Sequence, residues 1–132
     1  MAAPSERLIV ISDRLPVKLR AATGGGWRAE KSSGGLATAM NPILRQRGGV
    51  WIGWPGESSG IGNPKRQDLT DKWKTQDALV SVEIPLETAN HFYEGYSNQT
   101  LWPLFHHFPS RLRFDQKCWA AYRTANAYRR KE

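Results

Sequence analysis

The sequence predicts an α/β fold, a mainly parallel sheet with flanking helices. Three observations carry that reading. Short apolar runs rich in β-branched residues alternate with stretches of helical spacing. The first of them, "RLIVIS", has no polar interruption, as in strands covered on both faces. Glycine- and proline-bearing turns stand directly behind the runs, where sheets of this kind bind ligands.

Taken in order, residues 7–12 are expected to form the first central strand. "KLRAATGGGWRAEK" (residues 18–31) has polar flanks around Gly24-Gly25-Gly26 and predicts an exposed hairpin or flap. In "GGLATAMNPILRQRGG" the residues Leu36, Met40, Ile43 and Leu44 recur at helical spacing, and Gly48-Gly49 gives a stop. Pro42 would clash with the Thr38 carbonyl and remove one backbone bond, so a kink or a break into two pieces is expected. "GVWIGWPGE" predicts a second buried strand at residues 50–53, ending in a Trp-Pro-Gly turn. Residues 56–74 are polar and glycine-bearing and read as a loop. "ALVSVEIPL" (residues 78–86) predicts a third strand, and the following 87–108 predict short helices broken near Gly95 and Pro103. Asp115 is placed to cap a last helix carrying Cys118, Trp119, Tyr122, Ala125 and Asn126, which should dissolve into "RRKE". No internal repeat is visible.

The 132 residues suit one domain, spanning 1–132, and leave no room for a second of similar size. Hydrophobic residues at 39% and charged residues at 23% are those of a globular chain, not a disordered one. Nineteen basic against 12 acidic residues give +7, which favours anionic partners. The basic residues are scattered, with clusters only at Lys65-Arg66 and Arg129-Arg130-Lys131, so a nucleic-acid partner is not expected. Cys118 stands alone, which excludes an internal disulfide and a cysteine-based zinc site and places a buried thiol in a reducing, cytoplasmic setting. No signal-type leader and no membrane-length apolar segment are present in the sequence, so no membrane association is expected.

Chemistry concentrates behind the strands. "SDRLP", "WPGE" and "SSGGL" are expected to converge on one crevice. At Ser32 to Leu36 a glycine pair opening a helix can leave backbone N–H groups bare for an anion, and it can equally be a tight turn. Neither the dinucleotide fingerprint nor the P-loop pattern is present. Arg14 can grip a phosphate or carboxylate with two parallel hydrogen bonds, or pair with Asp13. Trp54 and Trp102 sit beside turns where they can face the crevice, against core packing for Trp51 and Trp119. Tyr93 and Tyr96 offer hydroxyls, or half-buried packing. His106 and His107 are adjacent and point apart, so no metal is expected. No nucleophile-base-acid set can be assembled, and no catalytic residue is assigned.

"VISDRLPV", "SSGGLATAM", "GGVWIGWPGE", "FYEGYSNQTLWPLFHH" and the spacing of Trp119, Tyr122 and Asn126 together resemble the N-terminal part of the trehalose-6-phosphate synthase family. Five collinear motifs cover about residues 7–127. The resemblance implies a retaining glycosyltransferase that joins glucose from UDP-glucose to glucose 6-phosphate, with no cofactor. It also implies a truncated N-terminal, acceptor-side Rossmann-like half of a GT-B fold, with the nucleotide-sugar domain of the same enzyme outside this chain. Retention in that family is explained by front-face attack in which the leaving phosphate takes the acceptor proton, so no protein nucleophile is required.

Carried over by residue, the resemblance makes Arg14 the ligand of the acceptor phosphate and Tyr93 and Trp102 contacts of glucose 6-phosphate, with Trp54 lining that pocket. Gly34 and Gly35 match glycines near the donor diphosphate. The family commonly has asparagine where this chain has Asp13, and a carboxylate there can weaken the hold of Arg14 on an anion. The chain ends before the family's "HDYHL" segment. The 132 residues alone are therefore expected to be inactive, and self-association through an exposed crevice wall that includes Trp54, Trp102 and the Ser33-Gly34-Gly35 turn is expected. Other classes compatible with the residues are a non-catalytic sugar-phosphate-binding or regulatory module and, more remotely, a basic nucleic-acid-binding domain.

Overall fold

A computed structural model describes residues 6–57 and 61–132 of the chain. The chain divides into two compact units, Met1–Val82 and Glu83–Glu132.

In the first unit three strands, β1 (Leu8–Arg14), β4 (Gly49–Trp54) and β5 (Leu79–Ser81), form a parallel sheet in the order β1-β4-β5. The central strand is β4, and its Trp51, Ile52 and Trp54 are all buried. The expectation that the first strand is central and covered on both faces is corrected: β1 is an edge strand. Val10 turns inward, whereas Ile9 and Ile11 are 62% and 59% exposed. An apolar run records that a strand is apolar, not which neighbours it acquires. The covered face packs Val10, Trp51 and Leu79 against Ala37 and Leu44 of α1 (Gly35–Arg47) and against Trp73.

Between β1 and α1 the expected hairpin forms from β2 (Val17–Ala21) and β3 (Trp27–Lys31), paired antiparallel. Gly24, Gly25 and Gly26 all take positive φ in its turn, which only glycine adopts without strain. Arg20 and Arg28 face each other across the strands, and Glu30 bridges both guanidinium groups at 3.3 Å, offsetting the like-charge pair. The helix α1 is continuous over 13 residues, so the expected break at Pro42 does not occur. Pro42 and Thr38 are both exposed. The backbone bond that proline removes therefore lies on the solvent side, where water replaces it.

Residues 63–77 are helical, not a loop, with α2 at Asn63–Lys72 running into a π-helical turn, Trp73–Asp77. Residues 58–60 of that expected loop lie outside the described residues. Pro64 opens α2, and the buried Trp73 anchors its end, which is enough to hold a helix with almost no apolar face. The third strand is shorter than expected, since only Leu79–Ser81 pairs.

The second unit is helical. The segments α3 (Leu86–Asn90), a π-helix (His91–Leu101) and α4 (Trp102–Phe105) run on without interruption and pack beside α5 (Gln116–Arg130). The breaks expected at Gly95 and Pro103 are absent for two local reasons. A Cβ on Gly95 would overlap the Cys118 sulfur, so the glycine permits close packing on α5 and does not end the helix. Pro103 cannot bond the Gln99 carbonyl, and the Arg113 N–H donates to that carbonyl instead, at 2.8 Å. The Thr100 hydroxyl closes the same junction on the Arg113 carbonyl.

Asp115 caps α5 as expected, its carboxylate accepting from the Cys118 N–H at 2.9 Å. That bond holds the Asp115 carboxyl below the usual carboxylate range. The Cys118 thiol is half-buried, and desolvation pushes it up. The expected dissolution at "RRKE" is corrected. The helix continues through Arg130, and Arg129 is buried, with its guanidinium 4.6 Å above the Phe92 ring and donating to Asn126 at 3.2 Å. Phe92, Tyr96, Trp119 and Tyr122 make up the aromatic seam between the helices.

Candidate functional site

At the C-terminal end of β1 the ladder with β4 slips. Ile11 pairs with Ile52, but the next pairing is Arg14 with Trp54, so Ser12 and Asp13 stand opposite Gly53 alone. This is a β-bulge, a device that re-aims a side chain at a strand end. Its effect is visible at Arg14, whose guanidinium lies 4.4 Å from the Trp54 ring centre while its side chain stays 52% exposed. One terminal nitrogen also lies against Gly56, where a Cβ would come within 3.2 Å of it. Asp13 is the acidic neighbour, its carboxylate 3.8 Å from Nε of Arg14. The arrangement presents an exposed cation fixed on an aromatic face, the disposition that suits a bidentate oxyanion.

Trp54 is therefore placed differently from expectation. It is the last residue of β4, only 4% exposed, and lies beneath Arg14 instead of facing open solvent at a turn.

The turn before α1 reaches the same end of the sheet, because the Ser32 N–H donates to the Pro16 carbonyl at 2.8 Å and the Leu15 N–H donates to Trp54 at 3.0 Å. The three segments expected to converge are thus tied together within the first unit. Gly34 has an ordinary φ of −64°, and an added Cβ would meet nothing nearer than 3.8 Å there and nothing within 4 Å at Gly35. A tight turn does not require either glycine. What they leave is open space over a helix N-terminus that has no side-chain cap and no acidic residue in its first turn.

Tyr93 and Trp102 belong to the second unit. Tyr93 lies on the π-helix and is 44% exposed. Trp102 opens α4, is 49% exposed, and stacks on His106 with ring centres 4.0 Å apart. Tyr96 instead packs inward against Trp119, Tyr122 and Phe114. The π-helix is the feature that sequence reading missed. Such turns concentrate at functional positions, yet no residue pattern announces them. Among the described residues no group of three His, Cys, Asp or Glu side chains is placed to hold a metal ion. No helix is long and apolar enough to cross a membrane, again among the described residues.

Comparison with known proteins gives the family. The model of glycosyltransferase family 20 matches residues 6–129. An alpha,alpha-trehalose-phosphate synthase [UDP-forming] of Schizosaccharomyces pombe is 36% identical over 125 residues, which is 95% of this chain and 24% of that protein. The crystal structure of a UDP-forming alpha,alpha-trehalose-phosphate synthase from Burkholderia vietnamiensis superposes with a TM-score of 0.60 at 29% identity, covering 95% of this chain and 24% of that one. A synthase of the same description from Burkholderia xenovorans, in complex with glucose-6-phosphate, gives 0.61 at 25% identity, over 96% and 25% of the two chains. The chain thus spans about a quarter of the length of the relatives it matches. Its α/β fold matches the N-terminal part of their GT-B architecture. With the family model covering residues 6–129, the chain belongs to glycosyltransferase family 20.

Proposed function

We propose that this chain is the acceptor-side segment of a trehalose-6-phosphate synthase, the enzyme that transfers glucose from UDP-glucose to glucose 6-phosphate with retention. The observation that carries the reading is the exposed guanidinium of Arg14, held over Trp54 at the C-terminal end of the sheet. In this reading Arg14 takes the phosphate of glucose 6-phosphate; the assignment of Tyr93 and Trp102 to glucose 6-phosphate rests on the family's motif alone. The bare amides at Gly34 and Gly35 face the donor diphosphate. Each assignment matches a chemistry these groups supply: a charge-assisted bidentate contact from arginine, a hydroxyl or apolar face from the aromatics, and helix N-terminal N–H groups for a diphosphate.

No side chain of the chain is needed as a nucleophile. Its contribution is to hold the acceptor in place, which removes orientational freedom from the transfer step. The remaining domain of such an enzyme is the partner that completes the donor site.

The test is titration of the chain with glucose 6-phosphate, comparing the unaltered protein with Arg14→Ala. Loss of a charge-assisted contact of about 1.5–3 kcal/mol corresponds to a weakening of roughly 10- to 150-fold. Equal affinity of the two proteins would refute the phosphate role of Arg14.

A further inference from the structure

The bulge that aims Arg14 is itself held by two side chains that touch no substrate in the reading above. Ser12 Oγ donates to the Arg14 carbonyl at 2.6 Å and accepts from Trp51 Nε1 at 2.7 Å. Trp51 is 1% exposed and lies in the core of the first unit, so its indole N–H is a fixed point. The Ser12 hydroxyl therefore links the rigid interior to the backbone of the residue that carries the guanidinium.

The register shows what this link decides. If β1 continued from Ile11 without a slip, Ser12 would pair with Gly53, Asp13 with Trp54 and Arg14 with Pro55. The carboxylate would then occupy the ladder position beside the tryptophan, and the guanidinium would move one residue past it. The bulge exchanges them and brings Arg14 opposite Trp54. Gly53 makes room for it, since a Cβ there would lie 2.9 Å from the Leu15 nitrogen, 3.0 Å from the Arg14 carbonyl carbon and 3.2 Å from the Ser12 carbonyl oxygen. A backbone pinched in this way needs a local hydrogen bond to favour it over the straight ladder, and the Ser12 side chain supplies one two residues along.

We propose that Ser12, fixed by Trp51, is a positioning residue that selects the bulged register and so decides that Arg14, and not Asp13, faces the incoming phosphate. The inference rests on Arg14 as the phosphate ligand. Its geometric part can be read without any ligand.

The experiment uses the 132-residue chain and two readouts. The first is the ring-current displacement of the Arg14 Nε–H signal over Trp54 in proton–nitrogen spectra, which reports the register. The second is the affinity for glucose 6-phosphate. Ser12→Ala is expected to abolish the displacement and weaken binding by a factor of about 3 to 10. Ser12→Thr, which keeps a hydroxyl, is expected to restore both, a rescue that mere loss of stability would not give. Trp51→Phe, which removes the indole N–H, should act as Ser12→Ala does. Should either variant fail to fold, the unaltered chain still decides: its Trp51 Nε1–H must be protected from hydrogen exchange, and fast exchange overturns the proposal. A folded Ser12→Ala chain with displacement and affinity unchanged overturns it as well. If Ser12→Ala loses the displacement while Arg14→Ala leaves binding intact, the positioning role stands and the phosphate reading of Arg14 falls.

Discussion

Replacing Asp13 by asparagine should tighten phosphate binding, and the size of the effect follows from the site. The Asp13 carboxylate lies 3.8 Å from Arg14 Nε. A phosphate bound to the far side of the guanidinium at about 2.8 Å then sits roughly 6–7 Å from that carboxylate. A charge of −1 facing about −2 at this distance repels by about 1.3 kcal/mol in water, and screening at 0.15 M ionic strength leaves about 0.6 kcal/mol. The opposing effect is the loss of the pair that steadies Arg14. With the guanidinium side chain 52% exposed, that pair contributes little, and the contacts to Trp54 and Gly56 remain. Repulsion therefore wins. Asp13→Asn is expected to bind glucose 6-phosphate about threefold more tightly at 0.15 M salt and about sixfold at 0.01 M. Calorimetric titration of both proteins at the two salt concentrations measures this. An unchanged or weaker affinity at low salt, or a ratio that does not shrink as salt rises, would refute the reasoning.

Gly95→Ala gains about 1 kcal/mol of helix propensity but drives a methyl into Cys118, with overpacking costing about 1–3 kcal/mol; a net loss in urea unfolding is expected, relieved in the double variant with Cys118→Ala. A Gly95→Ala chain more stable than the original would show that the close approach is not rigid. The Asp115 carboxyl is held below its ordinary value when folded, so its stabilising effect is complete above the unfolded aspartate range, near pH 4, and is lost as pH falls through the lower folded value. Asp115→Ala should lower stability at neutral pH and flatten that acid limb in melts taken between about pH 2 and 5; identical limbs would contradict the cap. Ile9 and Ile11 form an exposed apolar pair on an edge strand, so Ile9→Lys with Ile11→Lys should reduce light scattering of concentrated solutions. Unchanged scattering would show that this exposed pair is not an association surface.

What could be read from the sequence was what local chemistry decides. The glycine turn between β2 and β3, the α1 stop at Gly48 and the Asp115 cap each depend on residues within a few positions of one another. The errors fell where a distant partner changed the meaning of a residue. Pro103 reads as a breaker until Arg113 supplies a donor for the stranded carbonyl. Gly95 reads likewise until Cys118 shows why no side chain fits. The helix α2 has too few apolar residues to announce itself and depends on Trp73 at its end. Arg14 was legible as a candidate because it stands at the end of an apolar run, where it is the last residue of β1. The bulge beneath it was not, because Ser12 acts through Trp51, 39 residues away in sequence.

The same contrast separates the glycines around the candidate site. Gly53 is required by sterics, since its missing Cβ is the space into which the bulge folds. Among the described residues nothing requires Gly34 or Gly35, as ordinary side chains would fit at both. A glycine that packing does not need weakens a helix start, where Ser, Thr, Asp or Asn would have capped it. Function is the natural place to look for the return on that loss. Bare amides at Gly34 and Gly35 leave room for an anion, and the notch at Gly53 lets Arg14 lie on Trp54 at the same end of the sheet. Substituting Gly34 with serine should therefore raise stability through the cap while weakening an anion at that helix start, whereas any side chain at Gly53 should disturb Arg14 and stability together. The two glycine classes can thus be told apart by whether stability and binding move in opposite directions or in the same one.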